Sequence, residues 1–96
     1  METPIEDRAK NPKFLFEAAT KGMQLEVKQL IDAGTNVNHA SKHGTTALMF
    51  AVKGFRTEVV KYLLDVGADP DKQDLDGNSA MHYAVFNRQH KISALL

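Results

Sequence analysis

The sequence predicts an all-α array: helix-turn-helix units stacked side by side, with β-turn or hairpin fingers protruding between them. Three observations predict it. The chain resembles itself at a shift of 33 residues, each copy carries two runs of apolar residues at helical spacing, and a stretch rich in Asp, Asn and Gly links one copy to the next. At that shift Gly34, Gly44, Ala47, Ala51, Val52 and Leu63 fall on Gly67, Gly77, Ala80, Ala84, Val85 and Leu96, six identities over thirty positions. Conservative swaps such as Phe50 with Tyr83 and Val59 with Ile92 fill the gaps. A fixed period near this length is the mark of a repeat array, in which each unit buries its apolar flank on its neighbour. A three-helix bundle with polar loops is the other all-α solution, but it requires no such period.

Composition narrows the setting. Ninety-six residues support one domain at most. Twelve basic and twelve acidic side chains cancel, against the basic surplus of a dedicated nucleic-acid binder. With no cysteine, disulfides, thiolate zinc sites and cysteine nucleophiles are excluded. No apolar run approaches the roughly 18 residues of a membrane span, and no basic-then-apolar leader opens the chain. A soluble intracellular module, cytoplasmic or nuclear, is the expectation.

Elements follow in order. Thr3-Pro4-Ile5-Glu6 fits a capping box with proline at the first helical position, so a short helix to about Lys10 is expected, broken by Asn11-Pro12. It either covers the first repeat or frays. In the second copy Thr46 caps a helix whose apolar positions are Ala47, Leu48, Ala51 and Val52, one helical face. Gly54 is expected to supply the unusual backbone at the reversal. A second helix from about Glu58 to Val66 turns Val59, Val60, Leu63 and Leu64 inward, and Gly67 sits where a left-handed C-cap belongs. Residues 68–77 are turn chemistry ending in an Asp-Gly pair that suits a hairpin.

These residues carry a family resemblance. Gly44-Thr-Thr-Ala-Leu-Met-Phe-Ala-Val52 resembles the opening signature of the ankyrin repeat, and Glu58-Val-Val-Lys-Tyr-Leu-Leu-Asp-Val-Gly-Ala-Asp69 resembles its closing half. Gly77 to Val85 repeats the opening with His82 kept, and Leu25 to Asn38 repeats the closing half. The expected divisions are an extension or capping helix at 1–12 and repeats at 13–42, 43–75 and 76–96. The first is cap-like, since Lys13-Phe-Leu-Phe16 replaces the opening signature, and the last is cut short. Ile92, Leu95 and Leu96 are expected near a raw edge, which suggests either that further repeats or domains follow Leu96 or that the chain self-associates. Phe55 and Arg88 occupy the family's usual glycine, so Gly54 and Asn87 are expected to take over its backbone conformation.

The resemblance implies a protein-binding module. First helices line a concave wall, fingers project beside it, and protein partners dock on both. Carried over position by position, partner contacts are expected at Lys42, His43, Thr45, Lys53 and Gly54 in the second copy. In the third they are Gln73, Leu75, Asp76, Asn78, Phe86 and Asn87, with Thr20 and Lys21 as the matching places in the first. Leu75, Phe86, Phe50 and Tyr83 are candidates for a concave apolar cluster, either as partner anchors or partly buried against neighbouring helices. Asn38 lies in a pattern similar to the one hydroxylated in some family members, and equally suits a turn-holding role.

Catalytic and metal chemistry find little support. His39 and His43 are four apart, but on a turn rather than a helix, with few carboxylates nearby. Asp74-Leu-Asp-Gly77 resembles part of a calcium loop, but Lys72 and Tyr83 stand where ligands are needed. No phosphate-binding glycine motif and no activated nucleophile context appears. The expectation is no enzyme, no metal, no cofactor and no membrane insertion. Two alternatives stay open. One is a regulatory segment packed on an enzyme or channel domain of the same longer chain. The other is a nucleotide or oligonucleotide sensor using Lys21, Lys53, Phe55 and Arg56, against which the zero net charge counts.

Overall fold

The computed structural model describes residues 4–96, which form an elongated body of 39 × 25 × 22 Å. Seven helices follow one another: α1 (Ile5–Ala9), α2 (Pro12–Lys21), α3 (Gln24–Asp32), α4 (Ala47–Lys53), α5 (Thr57–Asp65), α6 (Ala80–Phe86) and α7 (His90–Leu95). They make two layers. The first helices α2, α4 and α6 lie side by side, and α3, α5 and α7 back them as a second row. Alanines set the spacing of the first layer: Ala18, Ala19, Ala47, Ala51, Ala80 and Ala84 are all buried. Larger aliphatics fill the seam between layers, with Leu15, Val27, Leu30, Leu48, Val52, Val59, Val60 and Leu63 essentially inaccessible.

Caps and reversals recur with the sequence period. Thr46 accepts a hydrogen bond from the Met49 N–H at the start of α4 (3.3 Å). Asn11 does the same for α2, accepting from the Lys13 N–H (3.1 Å) with Pro12 at the first helical position. Asn11-Pro12 therefore ends one helix and starts the next. Between the helices of each pair sits a left-handed residue, at positions 22, 55 and 88: Gly22 (φ 74°), Phe55 (φ 60°) and Arg88 (φ 55°). The following N–H then reaches back to a carbonyl five residues earlier: Met23 to Ala18, Arg56 to Ala51 and Gln89 to Ala84, each at 2.9 Å. This is the hydrogen-bond closure of a Schellman-type helix end.

That arrangement corrects the expectation for Gly54 and Asn87, whose φ values are −84° and −90°. Phe55 and Arg88 adopt the left-handed conformation themselves. Gly54 is needed for a different reason: a Cβ there would lie 2.4 Å from the Thr20 carbonyl oxygen. The absent side chain lets α4 approach the end of α2. Gly67 is left-handed as expected (φ 99°), and α5 begins at Thr57 and ends at Asp65, one residue before the expected bounds at each end.

Thr3 of the expected capping box lies outside the described residues. Helix α1 forms from Ile5 and packs against α2 and α3. Arg8 pairs with Glu26 at 2.7 Å, and the buried Thr35 hydroxyl donates to the Ala9 carbonyl at 2.8 Å. At the other end Ile92, expected near an edge, is buried, while Leu95 and Leu96 are half-buried.

Candidate functional site: the first-helix wall and the fingers

The fingers are tight turns rather than paired strands. One antiparallel bridge joins Ala40 to Thr46, and among the described residues no named strand forms. Ser41 donates its N–H to the Thr45 carbonyl at 2.9 Å, and the Gly44 N–H returns to Ser41 at 2.8 Å. The next finger repeats the plan, with Asp74 N–H to the Asn78 carbonyl and Gly77 N–H to Asp74. Adjacent fingers are tied by the Leu75 N–H, which donates to the His43 carbonyl at 3.0 Å.

Side chains rigidify this edge. Asn38 accepts from the Asp69 N–H (2.7 Å) and donates to the Gly67 carbonyl (3.1 Å), clasping the second finger to the first. Asp74 accepts N–H bonds from Asp76 and Asn78, both at 3.0 Å, and the Tyr83 hydroxyl donates to its other oxygen. The Tyr83 hydrogen bond and the two backbone donors, aided by the Lys53 charge, outweigh desolvation and hold the Asp74 carboxyl below its ordinary pKa. The same bond, followed by burial, raises the Tyr83 phenol above its ordinary value. His82 is a structural residue: the Ser79 N–H donates to its Nδ1 at 2.9 Å, closing a capping box at the start of α6.

The expected contact residues separate by exposure. Lys42, His43, Lys53, Gln73, Asp76 and Asn87 are exposed, and so are Leu75 (77%) and Phe86 (68%). Asn78 is half-buried beneath its turn. Thr45 is a correction: it is buried beside the Ala40–Thr46 bridge and offers no surface to a partner. The four-member apolar cluster also divides. Phe50 and Tyr83 pack partly against the core, whereas Leu75 and Phe86 stand out in solvent. The Lys53 ammonium lies over the Tyr83 ring, 4.5 Å from its centroid.

In one part of the wall the sequence reading named Thr20, Lys21 and Phe50 but missed Lys13, Phe16 and Glu17. Phe16 and Phe50 face each other with centroids 5.0 Å apart and planes inclined by 33°. With Lys13, Glu17, Thr20 and Lys21 they line a hollow of about 300 Å³ between α2 and α4. His39 extends the row from the first finger, 6.5 Å from the Phe16 ring. Residues 13, 16, 17 and 20 share one helical face, opposite the buried Leu15, Ala18 and Ala19. That spacing was the available signal, obscured because the first repeat lacks the opening signature.

Among the described residues no three His, Asp or Glu side chains come close enough to hold a metal ion, and no helix is long and apolar enough to cross a membrane. Comparison with known proteins agrees with the architecture. The family model for ankyrin repeats (3 copies) matches residues 14–96. Ankyrin repeat protein FPV022 of fowlpox virus is 34% identical over 88 residues, covering 92% of this chain and 15% of that protein. The inactive serine/threonine-protein kinase TEX14 of Bos taurus is 35% identical over 83 residues, covering 85% of this chain and 6% of the kinase. The ankyrin repeat, SAM and basic leucine zipper domain-containing protein 1 of Oryctolagus cuniculus is 41% identical over 76 residues, covering 75% of this chain and 15% of the relative. The chain thus spans less than a sixth of the length of each of these relatives. Family match, two-layer stack and 33-residue period agree: the chain belongs to the ankyrin repeat family.

Proposed function

We propose that this chain is a non-catalytic protein-binding module, serving as scaffold, adaptor or targeting segment through its fingers and first-helix wall. The observation that carries this reading is the exposure of Leu75 and Phe86 on a scaffold whose turns are already tied by Asn38 and Asp74. Large apolar side chains held out by an ordered frame dock with little loss of conformational entropy. The exposed Lys42, His43, Lys53, Gln73, Asp76 and Asn87 supply the polar rim.

Affinity capture with the wild-type chain beside a Leu75→Asp, Phe86→Asp double variant tests it. Both positions are exposed, so folding persists, and the variant is expected to lose the specifically retained partners. Identical interactors for both forms would refute the role of this surface.

A second reading has its own supporting observation. Met81 (37% exposed) and Val85 (59%) occupy the places at which Leu48 and Val52 are fully buried one repeat earlier. Such an open flank suits a regulatory segment packed on another domain of a longer chain. Protection of Met81 and Val85 from hydrogen exchange in the longer protein, compared with this segment alone, distinguishes the two readings.

A further inference from the structure

We infer that the hollow between Phe16 and Phe50 receives an acidic peptide segment anchored by one apolar side chain, a partner chemistry that rests on the protein-binding reading above. The floor is hydrocarbon: two phenylalanine rings in contact, both half-buried and backed by the core. The rim carries Lys13, Lys21 and one acid, Glu17. His39 stands beside Phe16, whereas the Lys53 ammonium turns away to the Tyr83 ring of the next repeat. The nearest finger, residues 36–43, adds Lys42 and His43 and contains no acid, whereas residues 69–76 hold four aspartates and one lysine. A neutral total therefore hides a basic end around the hollow and an acidic finger beyond it. A segment with carboxylates flanking an aliphatic or aromatic residue matches the basic end in both charge and apolarity.

The same groups disfavour a nucleic acid strand. A phosphate strand carries its charge along its whole length, so beyond the basic end it meets the aspartate-rich finger, which a short peptide segment need not reach. The two rings also pack on each other and on the core, so neither stands free to stack a base. The rim cations are lysines, point charges on flexible stems. They steer and orient a carboxylate rather than clamp it, so binding depends steeply on salt.

Fluorescence polarisation on the 96-residue chain tests the inference. The probes are a labelled peptide with one leucine flanked by glutamates, the same peptide with alanine for leucine, the same with lysines for glutamates, and an oligothymidylate. The glutamate-leucine probe is expected to bind at least about tenfold more tightly than the other three and to weaken in high salt. A Lys13→Glu, Lys21→Glu double variant, checked for folding by circular dichroism, is expected to lose about tenfold or more of that affinity. Equal or tighter binding of the lysine probe or the oligothymidylate overturns the inference, as does no binding of the glutamate-leucine probe at about 1 mM. If the lysine probe binds and Leu75→Asp with Phe86→Asp abolishes it, the hollow has failed but the wall remains a protein-binding surface. If nothing binds and capture is also indifferent to those two changes, both readings fall.

Discussion

Phe55 and Arg88, one repeat apart, hold the same left-handed backbone that Gly22 holds in the first repeat. An L-residue pays about 1–2 kcal/mol for that conformation, and glycine pays almost none. Arg88→Gly is therefore expected to stabilise the fold by about 1 kcal/mol, raising the thermal midpoint by several degrees in a domain of this size. Phe55→Gly is expected to gain less, because the ring is 61% exposed and the remainder still packs. Urea unfolding of both variants checks this; destabilisation by Arg88→Gly would show that its side chain supports the turn.

Gly54→Ala separates sterics from helix propensity. Alanine at the end of α4 should help by propensity alone, by up to about 1 kcal/mol. The new Cβ would instead meet the Thr20 carbonyl at 2.4 Å, a backbone atom that cannot swing aside. Net destabilisation of about 1–3 kcal/mol is expected, typical of overpacking. A more stable variant would mean that the α2–α4 contact relaxes freely.

Asn38 joins consecutive fingers through both ends of its amide. Asn38→Ala is expected to cost about 1–3 kcal/mol, the worth of two hydrogen bonds. Asn38→Asp keeps the acceptor for the Asp69 N–H and loses the donor to Gly67, so a smaller loss is expected. Chemical denaturation of the three forms should give that order, and amide exchange at Asp69 should accelerate in the alanine variant first.

The Tyr83–Asp74 pair makes stability depend on pH at both extremes. Asp74 titrates below its ordinary value of 3.8 in the folded state, so its contribution is complete above that value and fades as pH falls through the lowered one. Tyr83 titrates above its ordinary value of 10.0, so its contribution is complete below that value and fades as pH rises through the raised one. Tyr83→Phe is expected to flatten the midpoint-against-pH curve at both ends. An unchanged curve would show that the pair does not persist in solution.

The sequence by itself determined the period, the helix pairs, the cap at Thr46 and the left-handed Gly67. The helices and caps depend on a few neighbouring residues, so local chemistry is sufficient to read them, and the period follows from comparing the chain with itself. Tertiary structure decided what depends on residues far apart in the chain. Position 55 reads as unfavourable for a left-handed backbone, yet the helix-to-helix reversal imposes it, because stacking the repeats stabilises more than the strain costs. Gly54 looks like a flexible turn residue until the Thr20 carbonyl stands beside it. Thr45 looks like a finger tip until the Ala40–Thr46 bridge buries it. The Phe16–Phe50 hollow exists only because α2, starting at Pro12, and α4, starting 35 residues later at Ala47, lie flank to flank.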